Sequence, residues 1–319
     1  MANLASMKPD REELLAAAAR IAPQVHRTPV LTSSSIDHIA SARLFFKCEN
    51  FQKVGAFKMR GAANAVAQLG AEAKRNGVAT HSSGNFAQAL ARAAEGAGLP
   101  CRIVMPRTAP DIKRRATLAY GAEIVACEPT LADREKTLAG VVAKTGATFI
   151  HPFNDLRVIA GQATAAMELL EQVDPLDHIV APVGGGGLIS GTALAAHYFS
   201  PSTRVFGGEP YGADDAYRSL ESGAIVPSVN PKTIADGLLT SLGDLTFPII
   251  RELVVAIVRV EEDEIIAAMR LVWERMKIII EPSAAVAVAA VLRSGEHFRG
   301  KRVGVILSGG NVDLNRLPF

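Results

Sequence analysis

Short runs of apolar residues alternate along the chain with longer segments in which apolar residues recur every three or four positions. The short runs have the length of buried strands, and the longer segments have the period of amphipathic helices. This alternation is typical of parallel sheets with helices on both faces, so we expect an α/β fold. For a larger sheet, the predicted strands are 43–48, 178–183, 204–207, 254–260 and 302–307, and the predicted helices are 10–21, 159–173, 262–276 and 282–292.

Residues 77–151 form a compact block within this pattern. The strands predicted here are 78–81, 101–105, 123–127 and 147–150, and the helices between them are 85–97, 111–119 and 131–144. Strands that alternate with single helices in this way predict a parallel sheet of their own. We therefore predict a small inserted α/β domain over 77–151, within a discontinuous larger domain of residues 1–76 and 152–319.

Composition narrows the function classes. The chain has 319 residues, of which 49% are apolar, and this is enough for two domains with substantial cores. Its net charge is +2, and no basic run is interleaved with aromatic residues, which argues against a nucleic acid as the main partner. No apolar run is long enough to span a membrane and residues 1–11 lack an apolar signal core, so we expect a cytoplasmic protein. Cys48, Cys101 and Cys127 lack a paired spacing, which favours reduced, buried thiols.

Four consecutive glycines, Gly184 to Gly187, stand between a predicted strand and the apolar start of a predicted helix. Glycine lets backbone N–H groups approach a bound group closely, and the start of a helix favours an anion. We interpret this loop as a phosphate site. No Lys-Ser or Lys-Thr pair follows the glycines, which excludes a Walker loop.

A dinucleotide site is the alternative for this loop. Its motif, G-x-G-x-x-G, fits best when counted from Gly186 to Gly191, but Leu188 then stands where the middle glycine belongs. Glu209, after the next strand, lies where an acid that binds ribose could be. A nucleotide-binding oxidoreductase or a regulatory protein therefore stays open at this point.

Three more polar loops follow or precede predicted elements, at residues 51–61, 81–85 and 307–311. In α/β sheets, ligands bind beyond the carboxyl ends of the strands. We therefore expect these loops to converge with the tetraglycine on one crevice.

Taken together, these motifs resemble the fold type II pyridoxal-phosphate enzymes, specifically the serine/threonine dehydratase and serine racemase family, over essentially the whole chain. The sequences Gly-Ala-Phe-Lys-Met-Arg-Gly at 55–61 and Glu-Pro-Ser at 281–283 resemble the dehydratase branch. The resemblance implies two doubly wound parallel-sheet domains of the tryptophan synthase β-like kind, pyridoxal 5'-phosphate as the cofactor, an amino acid as the substrate, and a homodimer.

Lys58 matches the Schiff-base lysine of that family. A partly desolvated amine loses its proton readily and can condense with an aldehyde. The resemblance also implies that Phe57 packs beside the cofactor. The cofactor phosphate would be held by Gly184, Gly185, Gly186, Gly187 and the amide of Leu188.

Three further positions match residues that surround the cofactor ring. Asn85 would donate a hydrogen bond to the phenolic oxygen, although it could also simply cap a helix. Ser308 would meet the pyridine nitrogen, where a neutral hydroxyl favours elimination over transamination. Gly237 would lie with its backbone against the ring.

The turn formed by Ser82, Ser83, Gly84 and Asn85 is rich in hydroxyl and amide groups at a helix start, which suits the carboxylate of the substrate. Ser83 matches the residue that faces the α-carbon from the side opposite the lysine in serine racemases. The resemblance therefore implies a lyase that converts a β-hydroxy-α-amino acid to a 2-oxo acid and ammonia, with racemisation as an alternative.

Glu209, Ala213 and Asp215 match a cation site of the family. Two carboxylates and one carbonyl are hard oxygen ligands that suit Mg²⁺ or Ca²⁺. Without the resemblance, this segment would be interpreted as an acidic loop.

Phe86 stands where relatives usually carry histidine. An aromatic face beside the cofactor could stack on an aryl substituent, so we expect a β-aryl serine such as L-threo-phenylserine as the substrate. Alternatively, Phe86 points into the core of the small domain. Serine, threonine and 3-hydroxyaspartate are the competing substrates, with Arg134 as the possible partner of the second carboxylate in 3-hydroxyaspartate.

Overall fold

The computed structural model describes residues 8–109 and 111–319. The strands in this part are β1 (Val30–Leu31), β2 (Arg43–Cys48), β3 (Val78–His81), β4 (Cys101–Pro106), β5 (Glu123–Cys127), β6 (Thr148–Phe149), β7 (His178–Pro182), β8 (Arg204–Pro210), β9 (Val254–Val260) and β10 (Arg302–Leu307). The helices are α1 (Arg11–Ile21), α2 (Ser34–Ala40), α3 (Lys58–Ala67), α4 (Ala71–Asn76), α5 (Asn85–Ala97), α6 (Asp111–Ala119), α7 (Leu131–Thr145), α8 (Leu156–Gln172), α9 (Gly187–Phe199), α10 (Asp215–Ser222), α11 (Thr246–Leu253), α12 (Glu262–Met276), α13 (Pro282–Arg293) and α14 (Gly295–Phe298).

The larger sheet has the strand order β1-β2-β10-β7-β8-β9. All neighbours in it pair in parallel except β1, which runs antiparallel to β2 at the edge. The last strand in sequence, β10, lies between β2 and β7. The loop after β10 therefore lies between the loop that precedes Lys58 and the tetraglycine that follows β7.

The smaller sheet has the order β5-β4-β3-β6 and is parallel throughout. All of its strands come from residues 78–149, inside the predicted inserted block. One helix from outside the block also packs here, because α3 supplies Met59, Ala62 and Val66 to the same buried cluster as Phe86. The α/β architecture with parallel sheets is confirmed, whereas the domain boundaries at 77 and 151 stay a prediction.

Apolar residues bury both faces of the larger sheet. One face packs on α12 and α13, and the other on α8 and α9. Burial on both faces explains why β7 and β10 read as continuous apolar runs rather than as alternating ones. No helix in the part of the chain that the structure describes has the length and apolarity to cross a membrane.

Two helix starts show how local capping sets the boundaries. α1 begins at Arg11, one residue after the predicted start at 10. Asp10 caps it, because its side chain accepts a hydrogen bond from the backbone N–H of Glu13 at 2.8 Å. α8 begins at Leu156, three residues before the predicted start at 159. Asp155 caps it by accepting from the amide of Arg157 at 2.9 Å, and this extends the helix beyond its apolar period.

A buried ionic network fixes the helix that begins at Lys58. The guanidinium of Arg60 is fully buried and donates to Glu49 at 2.7 and 2.8 Å and to Glu168 at 2.8 and 2.9 Å. The ammonium of Lys47, also buried, donates to Glu168 at 2.6 Å. Two cations and two carboxylates thus neutralise one another and join β2, α3 and α8.

Candidate active site

Lys58 begins α3 where three parts of the fold meet. Its Nζ donates a hydrogen bond to the carbonyl oxygen of Pro152 at 3.0 Å. Just before it, the amide of Phe57 donates to the carbonyl oxygen of Ser308 at 3.0 Å, and Ala56 forms a β-bridge with Gly309. The backbone therefore places Lys58 beside the loop that follows β10.

The surroundings of Lys58 favour its neutral amine. The side chain is half-buried, and its Nζ lies 5.0 Å from the ring centre of Phe57 and 5.7 Å from that of Phe86. Burial lowers the pKa of this amine to about 8, although the carboxylate of Glu281 opposes the shift. A lysine with this pKa has a substantial neutral fraction near pH 7 to 8, as a nucleophile or a proton acceptor needs.

The tetraglycine forms the turn between β7 and α9. Gly186 caps α9 with φ of +88°, a conformation that strongly favours glycine. At Gly185, an added Cβ would lie 2.4 Å from the ring atoms of Phe153. The hydroxyl of Thr246 donates to the carbonyl oxygen of Gly185 at 2.9 Å and so fixes the loop from the other side. No larger residue fits either position without moving its neighbours.

This loop fits a phosphate group. All of its residues are buried, and among the described residues the N–H groups of Gly184, Gly185 and Gly187 donate to no backbone carbonyl. Buried N–H donors need acceptors, and α9 adds the favourable potential of a helix start. Because an added Cβ at Gly184 would lie 3.1 Å from the carbonyl oxygen of Gly237, the loop and the Gly237 segment also meet here. The predicted phosphate and ring positions are thus neighbours.

Ser308 and Gly237 come from two different segments of the chain. Ser308 is buried directly after β10. The amide of Gly237 is held by the hydroxyl of Ser283 at 3.0 Å, and the neighbouring Asp236 forms an ion pair with Lys113 of α6. That ion pair connects the smaller sheet's helices to the segment that carries Gly237.

Asn85 belongs to a hydrogen-bond network that the sequence does not reveal. Its amide nitrogen donates to both oxygens of Glu281, at 2.9 and 3.1 Å, and its amide oxygen accepts from Asn311 at 3.0 Å. Burial raises the pKa of Glu281 to about 7. Asn85 is the first residue of α5, and the cap position is Gly84, so the alternative that the Asn85 side chain simply caps the helix is wrong. Residues from distant segments hold this side chain instead.

The turn of Ser82, Ser83, Gly84 and Asn85 is half-buried at the start of α5. The hydroxyl of Ser82 accepts from the amide of Gly84 at 3.3 Å, which shapes the turn. The hydroxyls and the first amides of α5 therefore line a partly open surface, as the binding of a carboxylate requires.

A row of rings lies next to this turn. His81 and His151 have ring centres 6.0 Å apart, and His151 meets Phe153 edge-on at 4.5 Å. Burial, with the nearby charges of His81 and Lys58, lowers the pKa of His151 to about 4, so its ring is neutral. Its Nδ1 accepts from the amide of Asn154 at 2.9 Å, which fixes the loop that carries Pro152.

Arg134 lies on α7 near His81. Burial lowers the pKa of the His81 ring most, and the positive charge of Arg134 lowers it further. The Nε of Arg134 is buried and has no hydrogen-bond partner among the described residues. A guanidinium N–H in that state is available to an acceptor such as a second carboxylate.

Phe86 is only 2% exposed and packs in the core of the smaller sheet, as in the alternative interpretation of the sequence. One face nevertheless lies near the Lys58 amine. Phe153, which the sequence analysis does not single out, is half-buried and packs on the tetraglycine. Pro152 and Thr246 also belong to the site and stand in no local motif that the sequence analysis recognises. Glu281 and Asn311 lie in motifs that the sequence analysis names, but it assigns no role to either side chain.

The predicted cation ligands lie together at the end of β8. Glu209 accepts from the amides of Ala216 and Tyr217 at 2.9 and 2.8 Å, and so caps α10. Burial raises the pKa of Glu209 to about 8 and that of Asp215 to about 6, and Oδ2 of Asp215 is buried without a partner among the described residues. Two buried, adjacent carboxyl groups with an orphan oxygen fit a hard cation. The described residues hold no group of three or more His, Cys, Asp or Glu placed to bind a metal, so an ion bound at Glu209 and Asp215 would need carbonyl or water ligands as well.

Comparisons with known proteins identify the family of the chain. The model of the family described as "Pyridoxal-phosphate dependent enzyme" matches residues 21–309. The chain is 53% identical over 311 residues to a beta-hydroxyaspartate dehydratase from Paracoccus denitrificans (strain Pd 1222), covering 98% of this chain and 99% of the relative.

Two solved structures extend the comparison to the fold. The serine racemase of Dictyostelium discoideum superposes with a TM-score of 0.92 at 51% identity, covering 96% of this chain and 99% of that one. A threonine deaminase from T.th. gives a TM-score of 0.92 at 44% identity, covering 96% and 99%. The similarity thus extends over the glycine loop, Lys58 and both sheets. The chain belongs to the pyridoxal-phosphate dependent enzymes, in the fold type II family that contains serine racemases and the dehydratases of β-hydroxy amino acids.

Proposed function

We propose that the chain is an ammonia-lyase that converts a β-hydroxy-α-amino acid to a 2-oxo acid and ammonia. The observation that carries this proposal is the half-buried amine of Lys58, whose pKa is lowered to about 8 beside a glycine loop with N–H groups that no described backbone carbonyl accepts. When bound there, pyridoxal phosphate would supply an aldehyde for the substrate amine and a ring that withdraws electrons from the α-carbon. The names of the dehydratase and deaminase relatives support the same reaction class.

In this proposal, the backbone holds the cofactor and side chains tune it. Backbone N–H groups of the glycine loop would hold the phosphate, namely those of Gly184, Gly185, Gly186, Gly187 and Leu188. Phe57 would pack beside the ring, and Ser308 would offer a neutral hydroxyl to the ring nitrogen. Because a hydroxyl leaves that nitrogen largely unprotonated, it favours elimination over transamination. The backbone of Gly237 would lie against the ring, and the absence of a side chain lets this segment pack on Ser283, whose hydroxyl oxygen would lie 2.9 Å from an added Cβ.

Lys58 moves the proton. The turn from Ser82 to Asn85 binds the α-carboxylate of the substrate at the start of α5. Nζ of Lys58 then takes the proton from the α-carbon, the C–O bond to the β-hydroxyl breaks, and one proton is returned to the departing hydroxyl so that it leaves as water. The enamine that is released takes up water and yields the 2-oxo acid and ammonia, so the reaction consumes no oxidant or second substrate.

For the β substituent, we propose a carboxylate, as in 3-hydroxyaspartate. Arg134 has a buried Nε without a partner among the described residues, and it lies beside His81 next to the substrate turn. A guanidinium can bind a carboxylate through charge-assisted hydrogen bonds. A relative 53% identical to this chain carries the name beta-hydroxyaspartate dehydratase, which supports this choice.

An aryl substituent, as in phenylserine, is the second candidate. The rings of Phe57 and Phe86 lie near the Lys58 amine, and Phe153 is half-buried beside the glycine loop. Aromatic faces could stack on such a substituent, but Phe86 is 2% exposed and offers little of its own surface. Serine and threonine have neither a second carboxylate nor an aryl group, so they would contact neither Arg134 nor the aromatic rings.

Racemisation is the alternative reaction at the same site. It requires a proton donor on the face of the α-carbon opposite Lys58, and the hydroxyl of Ser83 is the residue that matches this role. Serine racemases 52% and 51% identical to this chain make the reaction a specific candidate.

Four substrates distinguish these possibilities. We would measure kcat/KM for the release of ammonia and 2-oxo acid from 3-hydroxyaspartate, phenylserine, threonine and serine, and the chirality of the recovered substrate. The proposal predicts the highest value for 3-hydroxyaspartate with little inversion. A preference for phenylserine would support the aromatic contact instead, and inversion faster than ammonia release would indicate a racemase.

Three further statements complete the proposal. Glu209, Asp215 and the carbonyl of Ala213 bind Mg²⁺ or Ca²⁺, with water filling the remaining positions. The protein forms a homodimer in the cytoplasm, without a nucleic acid or membrane partner. The smaller sheet belongs to an inserted domain over residues 77–151.

A further inference from the structure

Glu281 lies in the site but has no part in the reaction proposed above. It is 4% exposed and directly precedes α13. Its oxygens accept from the side-chain nitrogen of Asn85 at 2.9 Å and from the backbone N–H of Asn311 at 3.1 Å. An added Cβ at Gly309 would lie 2.8 Å from its Oε1, so the carboxyl group packs tightly against the loop after Ser308.

The side-chain amide of Asn311 is held in one orientation. Its nitrogen donates to the backbone carbonyl oxygen of Val54 at 2.7 Å and to the side-chain oxygen of Asn85 at 3.0 Å. A backbone carbonyl can only accept, so Val54 fixes which end of the Asn311 amide faces it. Asn311 must then present its second hydrogen to Asn85, and this fixes the amide oxygen of Asn85.

The carboxylate of Glu281 fixes the other end of the Asn85 amide. An ionised carboxylate accepts only, so it requires the nitrogen of Asn85 on its side. That nitrogen lies 2.9 and 3.1 Å from the two oxygens, a geometry that one hydrogen can satisfy between them. The second hydrogen of the Asn85 nitrogen can then meet another acceptor.

We propose that Glu281 is a positioning residue, which acts through Asn85 to present an N–H donor, rather than a carbonyl oxygen, to the phenolic oxygen of the cofactor. This inference rests on the proposed function, in which Asn85 faces that oxygen. An inverted amide would place its oxygen against the carboxylate of Glu281 and its nitrogen against the donor of Asn311. Both contacts would be lost, so the network selects one orientation.

The charge state of Glu281 links this network to pH. Three charged groups face the carboxyl group from different elements: Lys58 on α3, Lys113 on α6 and Asp236 in the segment before α11. Burial and the charge of Asp236 raise the pKa of Glu281, whereas the bond from Asn85 and the charge of Lys113 lower it, with a result of about 7. Protonation of the carboxylate would remove an acceptor from Asn85, so the hold on the amide weakens as the pH falls through 7.

The variant Glu281→Gln tests the inference in the full-length holoenzyme. Glutamine keeps the size of the side chain but has only one acceptor oxygen. Two donors would compete for it, the side-chain nitrogen of Asn85 and the backbone N–H of Asn311. We expect the Kd for pyridoxal phosphate to rise roughly 10- to 100-fold, the range of one charge-assisted hydrogen bond. We also expect the visible absorbance of the bound cofactor to lose a transition near pH 7 that the wild type shows.

Glu264→Gln is the matched control. Its carboxylate also accepts from a backbone amide, that of Glu261 at 2.8 Å, but it lies in the exposed first turn of α12. The control should keep the wild-type Kd and the wild-type pH dependence of the spectrum.

A double variant separates positioning from a merely structural role. In the double variant Asn85→Asp with Glu281→Gln, the side-chain nitrogen at position 281 can donate to the carboxylate at position 85. A hydrogen bond again joins the two side chains, but in the reverse direction. We expect it to regain thermal stability relative to either single variant while it still binds pyridoxal phosphate weakly. Recovery of the wild-type Kd in the double variant would overturn the inference.

The outcomes also separate this inference from the proposed function. If the wild-type protein binds no pyridoxal phosphate, the proposed function fails and the inference with it. If the wild type binds the cofactor and Glu281→Gln matches it in both Kd and spectrum, only the inference is overturned.

Discussion

The amine of Lys58 donates a 3.0 Å hydrogen bond to the carbonyl oxygen of Pro152, which follows it by 94 positions. Pro152 stands in the loop after β6, the last strand of the smaller sheet, so this bond brings the reactive amine to the junction of the two sheets. The same loop places Phe153 on the tetraglycine. One short segment therefore positions both the amine and the phosphate loop.

The buried ionic network behind Lys58 should be important for stability. Arg60→Met removes a cation from two carboxylates and leaves the fully buried carboxylate of Glu49 without an ion-pair partner. We expect the free energy of unfolding to fall by about 3–5 kcal/mol, measured by urea denaturation. Arg92→Met, which breaks an exposed pair with Glu95, is the control and should have a much smaller effect. Equal losses in the two variants would show that Arg60 is not a structural anchor.

Arg134 should determine the preference for a second carboxylate. We expect Arg134→Gln to lower kcat/KM for 3-hydroxyaspartate roughly 10- to 100-fold, the range of one charge-assisted hydrogen bond, and to change the value for threonine little. Arg107→Gln removes an exposed arginine of the same region and serves as the control. A loss of the same size for both substrates would mean that Arg134 acts through the fold rather than through the substrate.

Removal of divalent metal should destabilise the protein. A ligand bound only to the native state stabilises it, so excess chelator should lower the melting temperature and added Mg²⁺ or Ca²⁺ should restore it. In Asp215→Asn, the ion loses a ligand, and the melting temperature should respond less to either treatment. A melting curve that is unchanged in excess chelator would show that Glu209 and Asp215 form no cation site.

The capture of the cofactor by the apoenzyme should depend on pH through Lys58. The pKa of this amine is lowered to about 8 from 10.5, so the neutral form predominates above pH 8 and is lost as the pH falls below it. We expect the rate of pyridoxal phosphate capture, followed by absorbance, to rise with pH and level off with a midpoint near 8. In Glu281→Gln the midpoint should move lower, because the carboxylate that favours the ammonium is gone. A midpoint near 10.5 in the wild type would contradict the lowered pKa.

The sequence predicts the elements better than it predicts their contacts. Apolar period and the cap at Asp10 define α1, and the continuous apolar runs of β7 and β10 identify central strands. The edge strand β1 was not predicted, because a segment of two residues has no period. Its antiparallel pairing depends on β2, not on its own residues.

The same limit applies to the site. Lys58 and the tetraglycine stand in dense local motifs, so the sequence alone makes them candidates for the site. Glu281 reaches Asn85 across 196 positions, and no local pattern reports a pairing that only the packed sheets create. For Phe86, the residue type alone suggests a contact that the packing does not favour. An aromatic ring beside the cofactor suggests a substrate contact, whereas the structure buries Phe86 in the core of the smaller sheet.

The most direct test of the central claim is the release of ammonia by Lys58→Ala. Purified wild-type protein and variant would be supplied with pyridoxal phosphate and 3-hydroxyaspartate, and ammonia and 2-oxo acid would be measured together. We predict equal amounts of the two products from the wild type and a rate about 10²- to 10⁴-fold lower from the variant, with similar thermal unfolding. Undiminished turnover by Lys58→Ala would contradict the assignment of Lys58 as the residue that moves the proton.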